Sequence, residues 1–166
     1  MEDISKKIIL PNDLPKYTRQ FSQKKQTAVI AGGCFDIIHT GHIAFLQQAK
    51  KQGDHLIILL ESDESIKKKK GVQRPINTQH DRAVVLSAIC FVDYICVLKP
   101  FMTDADYDDL VIMIKPAIIA TTKGDSFRYH KERQANMIGG IVKDVTQHIP
   151  DKSTTALFTV LETKKI

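Results

Sequence analysis

The sequence has no long apolar run and no sign of a secretion signal. A membrane-spanning helix needs about 20 consecutive apolar residues, and no segment of the 166 residues approaches that length. The first residues, Met1-Glu2-Asp3, are acidic and lack the basic and then apolar order of a signal peptide. We therefore expect a cytoplasmic protein that does not contact a membrane.

Cysteine and the common catalytic groupings are also scarce. The chain has three cysteines, an odd number without metal-ligand spacing, which excludes a disulfide framework and a zinc site. We find no Ser/His/Asp triad, no nucleophilic cysteine and no carboxylate cluster that would form a metal cage. The sequence therefore predicts no metal held by protein ligands alone and no covalent catalysis by the chain.

A nucleic-acid-binding signature is missing although the net charge is +5. Much of that charge comes from the run Lys67-Lys68-Lys69-Lys70. Few aromatic residues lie among the basic ones, and no nucleic-acid motif occurs elsewhere, so we expect no nucleic-acid partner. We interpret the lysine run as a loop, either simply solvated or placed beside an anionic nucleotide.

Alternating apolar runs and helical patterns are present along the chain. Continuous apolar strands such as Leu56-Ile57-Ile58-Leu59-Leu60 are typical of a parallel sheet covered on both faces. The sequence predicts one α/β domain with a doubly wound parallel sheet of about five strands and helices on both faces. The predicted strands are 27–31, 55–60, 94–98, 117–121 and 140–143, and the predicted helices are 41–51, 78–89, 104–114, 129–137 and 154–162.

The most informative segment is Gly32-Gly33-Cys34-Phe35-Asp36-Ile37-Ile38-His39-Thr40-Gly41-His42. It follows the apolar strand 27–31 and leads into the predicted helix 41–51. A strand, a glycine turn and a helix N-terminus together form an anion site. The two imidazoles at that site can donate hydrogen bonds to phosphate oxygens. In such sheets ligands bind at the carboxyl ends of the strands, which is where this segment lies.

Residues 33–42 resemble the signature of the cytidylyltransferase-like nucleotidyltransferases. Within the family, the Arg-Pro-Ile-Asn and Ser-Thr-Thr stretches agree best with bacterial heptose-1-phosphate adenylyltransferases, and glycerol-3-phosphate cytidylyltransferases are the next most similar branch. The resemblance implies a Rossmann-like nucleotidyltransferase domain over residues 26–166, preceded by an N-terminal extension over residues 1–25. The other matching segments, in family order, are 52–58, 61–65, 74–77 with Arg82, 92–94 and 153–157.

The resemblance implies transfer of a nucleoside monophosphate from a triphosphate to a phosphorylated sugar or polyol, with release of pyrophosphate. ATP is favoured as the donor and heptose 1-phosphate as the acceptor, with Mg²⁺ accompanying the triphosphate. The first alternative is a cytidylyltransferase that uses CTP and glycerol 3-phosphate. The second is a non-catalytic nucleotide-binding or sensor protein, although both histidines of the signature are intact.

The resemblance also assigns roles to individual residues. His39, His42 and Lys69 are the expected catalytic residues, the histidines as donors to the α- and β-phosphate oxygens. Asp36 and Arg82 are expected to bind the acceptor, with a structural role open for both. The expected nucleotide- and phosphate-binding residues are Cys34, Phe35, Gly41, Lys70, Asp125, Ser153, Thr154 and Thr155.

Two stretches depart from the family pattern. Heptose-1-phosphate adenylyltransferases usually carry Lys-Gly-Gly-Asp-Tyr after the fourth strand, whereas this chain has Thr122-Lys123-Gly124-Asp125-Ser126, with the lysine displaced and the aromatic residue missing. Cytidylyltransferases often carry an arginine where this chain has His148, which disfavours the cytidylyl alternative.

The segment 1–25 contains Pro11 and Pro15, which argue against one long helix. It also contains Ile8, Ile9 and Leu10, which have little to pack against in one small domain. We therefore interpret the segment as a packed extension or a dimer contact, and we expect a homodimer.

Overall fold

The computed structural model describes residues 4–147, which form one six-stranded sheet in the order β1-β4-β3-β2-β5-β6. All five strand pairings are parallel. The strands are β1 (Ile8–Ile9), β2 (Ala28–Gly33), β3 (His55–Leu60), β4 (Tyr94–Val97), β5 (Ile118–Thr122) and β6 (Ile141–Thr146). The helices are α1 (Leu14–Gln23), α2 (Thr40–Lys50), α3 (Asp63–Lys70), α4 (Gln79–Ser87), α5 (Asp104–Ile114) and α6 (Arg128–Ile138).

Both faces of the sheet are covered by helices. On one face, α2 and α4 bury Leu46 and Leu86 against the strands. On the other face, α1, α5 and α6 bury Phe21, Leu110 and Ala135. Successive side chains of a strand point to opposite faces, so a strand covered on both sides must be apolar at every position. This explains the unbroken apolar runs and confirms the predicted doubly wound fold.

The sheet has six strands rather than about five because the N-terminal segment adds one. Ile8 and Ile9 pair with β4 opposite Ile95 and Cys96, and Ile9 is buried. The argument that these two isoleucines lack a partner within one domain is therefore wrong. The homodimer stays a prediction without that support.

Helix α1 was not expected because of the prolines near its start. Pro15 lies in the first turn of the helix, where its missing N–H has no intrahelical acceptor and its fixed φ suits helical geometry. The prolines do exclude one long helix over the whole segment, but a helix of 10 residues begins at Leu14, directly before Pro15.

The lysine run lies in helix α3 and not in a loop, which corrects the expectation. The side chain of Ser62 caps the helix by accepting a hydrogen bond from the Ser65 amide. Asp63 and Glu64 occupy the first turn, and the four lysines occupy the last one. This arrangement matches the helix dipole at both ends. The signal was present in the sequence as a serine, two acidic residues and then four basic residues before a glycine.

The chain order of the strands reverses at β2. From β2 the chain moves outward through β3 and β4, and it then crosses to β5 on the other side of β2. A crevice forms at such a reversal, at the carboxyl ends of the strands.

No helix between residues 4 and 147 has both the length and the apolar character needed to cross a membrane. The predicted helix 154–162 lies outside the described residues.

Candidate active site

A tight loop after β2 forms the centre of the site. The phenyl ring of Phe35 lies so close to Gly33 that a Cβ on Gly33 would be 2.8 Å from the ring carbon Cε2. Phe35 itself has a φ of +47°, in the left-handed region that side chains rarely adopt. Its ring is buried and lies 5.2 Å, centroid to centroid, from the ring of His42. The glycine therefore allows Phe35 to fold back and form a wall beside His42.

The two histidines of the motif come together at the start of α2. His39 is the N-cap residue in extended conformation, and His42 lies in the first turn. Their rings stack with centroids 3.8 Å apart and an interplanar angle of 25°. The first intrahelical hydrogen bond joins the Ile43 amide to the His39 carbonyl, so the three preceding amides lack intrahelical acceptors. Two imidazoles and a helix N-terminus thus face the same space, as an anion site requires.

His42 is a neutral imidazole at neutral pH. Burial lowers its pKa to about 4, and the nearby His39 and Lys70 act in the same direction, while a hydrogen bond with the backbone of Ile37 opposes them. A neutral ring can donate one N–H without the cost of burying a charge. Because a neutral imidazole has only one N–H and the Ile37 backbone accepts it here, donation to a phosphate requires the ring to be protonated or to turn.

The lowered pKa predicts that acid destabilises the fold between about pH 6.5 and about pH 4. In this window unfolded His42 binds a proton that the folded protein excludes, so stability is present above the window and is lost as the pH falls. Full loss from this group is about 3 kcal/mol. His55, whose pKa is lowered mainly by burial, adds to the effect with the same sign.

Urea unfolding at pH 7 and pH 4.5 measures this dependence. His42→Asn should lose less stability on acidification than the unmodified protein. His80→Asn serves as the control for removing a histidine from the exposed surface of α4. Equal losses in the His42 variant and the unmodified protein would contradict the assignment.

Asp36 anchors the glycine loop to the segment before α4. Its carboxylate accepts hydrogen bonds from Arg74 Nε at 2.8 Å and from the amides of Ile76 and Asn77 at 3.0 Å. Burial acts to raise the pKa of Asp36, but these amides and Arg74 outweigh it and lower the pKa. The carboxylate has no exposed area. In this conformation Asp36 has a structural role, and its contact with the acceptor stays a prediction.

Arg82 is fully buried beneath the same loop. Its guanidinium donates to the carbonyls of Cys34, Glu61 and Asn77 and forms an ion pair with Asp63 at 2.8 Å. The Arg82 side chain has no exposed area in this conformation. Of the two roles left open for Arg82, the structural one fits this burial: Arg82 positions the ends of β2 and β3 and the loop that follows β2, and its contact with the acceptor stays a prediction.

A cavity of about 450 Å³ opens beside the loop, on the sheet face covered by α1, α5 and α6. Its floor includes Ile30, Leu59 and Ile119, which share that face. Gly33 and Cys34 form its edge toward the histidines. The volume lies in the range of small-molecule sites.

Both predicted lysines line this cavity. Lys70 also exerts its charge on His42 and on Cys34, so it lies between the cavity and the histidine pair. Within residues 4–147 the structure gives Lys70 no hydrogen bond or ion pair, which leaves its ammonium group available to an anion. Lys69 pairs with Glu61 at 3.3 Å.

The Cys34 thiol stays protonated. Burial raises its pKa although Lys70 and Arg82 act to lower it. A neutral thiol at this position agrees with the expectation that catalysis uses no cysteine nucleophile.

The stretch around Asp125 supplies the groups that the sequence pattern lacked. Asp125 Oδ2 accepts hydrogen bonds at 2.6 Å from Thr121 and from Lys131, and Asp125 Oδ1 accepts one from the Phe127 amide at 3.0 Å. Phe127 and Lys131 both line the cavity. An aromatic residue and a lysine are therefore present, at later positions than in the family pattern. Sequence reasoning missed both because it compared fixed positions only.

Two further cavity residues were missed. Glu61 follows the last residue of β3, and Tyr107 lies on α5; the Tyr107 hydroxyl donates to Glu61 Oε1 at 2.6 Å. The period of two along β3 would have placed Glu61 on the same face as Leu59. Nothing in the sequence marks Tyr107. The predicted residues Ser153, Thr154 and Thr155 lie outside the described residues.

Comparison with known proteins agrees with this geometry. The sequence profile of the family described as cytidylyltransferase-like matches residues 30–165. The chain belongs to the cytidylyltransferase-like family. The match contains the glycine loop, both histidines, the lysines of α3 and the Asp125 stretch.

The individual relatives have different names. A bifunctional protein HldE from Wolinella succinogenes is 36% identical over 153 residues, which cover 91% of this chain and 30% of the relative. An FAD synthase from Pyrococcus horikoshii is 44% identical over 103 residues, covering 62% of this chain and 67% of that protein. Among solved structures, a lipopolysaccharide core biosynthesis protein from Thermoplasma volcanium has a TM-score of 0.60 and 29% identity, with 74% of this chain and 97% of that chain covered.

Proposed function

We propose that the protein is a nucleotidyltransferase that transfers AMP from ATP to a phosphorylated sugar or polyol, such as heptose 1-phosphate. The observation that carries the proposal is the position of the glycine loop. It separates the stacked histidines at the start of α2 from the cavity on the opposite face of the sheet. The positive charge of Lys70 acts both on Cys34, at the edge of the cavity, and on His42.

This arrangement suits two substrates that meet across the loop. The triphosphate would lie at the N-terminus of α2, where amides and the imidazoles of His39 and His42 stabilise negative charge. The acceptor would occupy the cavity with its phosphate toward Lys70. Phosphoryl-type transfer needs the attacking and leaving oxygens roughly in line with the phosphorus. Substrates bound on opposite sides of the loop would approach the α-phosphorus from opposite directions, as that alignment requires.

The reaction needs no general base from the protein. A phosphomonoester has a second pKa of about 6 and is already largely dianionic at neutral pH. One of its oxygens attacks the α-phosphorus of the triphosphate, and the bond to the β-phosphate breaks with release of pyrophosphate. The protein's contribution is then positioning and stabilisation of developing charge. The protonated Cys34 and the absence of a triad in the sequence agree with this mechanism.

Mg²⁺ is proposed as part of the triphosphate substrate. No group of three or more histidine, cysteine or acidic residues within residues 4–147 could hold a metal ion. Mg²⁺ is commonly bound through substrate phosphates with few protein ligands. We therefore assign no resident metal site to these residues and no step to a protein-held metal.

ATP should bind more tightly than CTP. The motifs at 74–77 and 153–155 resemble those of adenylyltransferases, and an arginine common in cytidylyltransferases is replaced by His148. Isothermal titration with each triphosphate in Mg²⁺ buffer measures the preference. A clear preference for CTP would replace the adenylyl assignment with the cytidylyl one.

Pyrophosphate release with defined acceptors tests the reaction itself. The panel is heptose 1-phosphate, glycerol 3-phosphate and flavin mononucleotide, each with ATP and with CTP. The flavin is included because the FAD synthase is 44% identical to this chain over 103 residues. We expect turnover with ATP and the sugar phosphate. Tight nucleotide binding without turnover for any pair would favour the sensor alternative.

A further inference from the structure

The acceptor cavity contains one sheltered carboxylate with an unused oxygen. Glu61 Oε1 accepts hydrogen bonds from the Tyr107 hydroxyl at 2.6 Å and from Lys69 Nζ at 3.3 Å. Within residues 4–147 the structure gives Glu61 Oε2 no hydrogen bond. The side chain is 18% exposed, and it borders the cavity.

The other two cavity carboxylates are less suited to binding a ligand. Both oxygens of Asp125 already accept hydrogen bonds, from Thr121, Lys131 and the Phe127 amide. The Asp104 side chain is 70% exposed and pairs with His130 at 3.5 Å. Water competes effectively for an exposed group, whereas a sheltered carboxylate must find a donor when a ligand excludes water.

Tyr107 determines how Glu61 is presented. Burial, the hydrogen bond to Glu61 and the Glu61 charge all raise the pKa of Tyr107, so its hydroxyl remains a donor. The short hydrogen bond holds Oε1 toward α5. The contact with Lys69 is weaker, because it is longer and half of the Lys69 side chain is exposed.

Glu61 lies close to the place where the acceptor phosphate would bind. Its backbone N–H donates to the Gly33 carbonyl at 3.2 Å, which ties it directly to the glycine loop. A carboxylate repels the phosphate group itself but accepts hydrogen bonds strongly from hydroxyl groups. The acceptor group that fits Glu61 is therefore a hydroxyl near the phosphate.

We propose that Glu61 is a specificity-determining residue that selects hydroxylated acceptors, with Oε2 accepting a hydrogen bond from an acceptor hydroxyl and Tyr107 acting as its positioning residue. The inference rests on the proposed function, since it assumes that the acceptor occupies the cavity. It adds to that function a reason why a sugar or polyol phosphate is preferred over an alkyl phosphate.

Steady-state kinetics of Glu61→Gln with two acceptors tests the proposal. The probes are heptose 1-phosphate and ethyl phosphate, which carries a phosphate but no hydroxyl. The variant replaces the charged carboxylate, which accepts the hydrogen bond, with a neutral amide. This should raise the KM for heptose 1-phosphate about tenfold. The kcat/KM for ethyl phosphate and the KM for ATP should change by less than about twofold, because neither involves the lost interaction. Tyr107→Phe should also raise the KM for heptose 1-phosphate and leave the kcat/KM for ethyl phosphate nearly unchanged, but the rise in KM should be smaller.

Asp108→Asn is the matched control. Asp108 follows Tyr107 on α5, pairs with Arg133 and does not line the cavity, so this variant should show no difference between acceptors. Equal changes for both acceptors in Glu61→Gln, or no change, would overturn the inference while the proposed function stands. If the unmodified protein transferred AMP to neither acceptor, the proposed function would fail and the inference with it.

Discussion

Replacing His42 with alanine should lower kcat about 100- to 1,000-fold, the typical cost of one donor to a transition-state oxyanion. The stacked rings of His39 and His42 lie at the N-terminus of α2, where they can donate to phosphate oxygens as charge builds up during transfer. An interaction that strengthens in the transition state affects kcat more than KM. The KM for ATP should therefore change much less than kcat. His39→Ala should behave in the same way.

Pyrophosphate release with ATP and the active acceptor measures both constants. His80→Ala is the control, since His80 is exposed on α4 and should retain full activity. Circular dichroism and the melting temperature should be nearly unaltered in the His42 variant at pH 7. Near-normal turnover, or unfolding of the protein, would instead identify His42 as a structural residue.

Replacing Arg82 with alanine should destabilise the fold by about 3–5 kcal/mol, because its guanidinium is fully buried and forms both an ion pair and several hydrogen bonds. The change removes the hydrogen bonds to the carbonyls of Cys34, Glu61 and Asn77 and leaves Asp63 without its cation. Because these groups lie at the ends of β2 and β3 and in the segment before α4, the glycine loop should lose its position as well. We expect activity to fall together with stability.

Urea unfolding at pH 7 gives the free energy of unfolding for this variant. Arg128→Ala is the matched control, because Arg128 pairs with Glu132 and Asp144 at the surface. Loss of a surface pair costs at most about 1 kcal/mol. Arg82→Lys keeps the charge but not the forked geometry, so it should recover only part of the stability. A loss below about 1 kcal/mol for Arg82→Ala would contradict the structural role.

The fold could be predicted largely from periodicity, and the missed elements have identifiable reasons. Strand β3 and helix α5 were predicted with the bounds that the structure shows, since each has a strong apolar pattern. Strand β1 has two residues and forms only because Tyr94–Val97 offers an open edge. Helix α1 has polar sequence with prolines at its start, and its burial of Phe21 depends on the sheet beneath it.

The site residues also fall into two groups, those that a local sequence pattern identifies and those whose partners are distant in the chain. The glycine loop, His39 and His42 lie within one short segment, so local pattern was enough to place them together, whereas the family resemblance placed the lysines beside them. The partners of Asp36 and Arg82 are distant, with Arg74 and Asn77 some 40 residues beyond Asp36. Whether these charged groups face a substrate or the interior depends on which segments pack over them. That information is absent from any one stretch of sequence.

By itself, the sequence determined the alternation of strands and helices, the phosphate-binding loop and its two histidines, because each depends on residues within one short segment of the chain. Only the tertiary structure decided that Arg82 is buried and that Glu61 and Tyr107 share a cavity. Parallel strands bring their carboxyl ends together at one edge of the sheet whatever their separation in the chain. Side chains 46 positions apart, such as Glu61 and Tyr107, therefore become neighbours only when the sheet has formed.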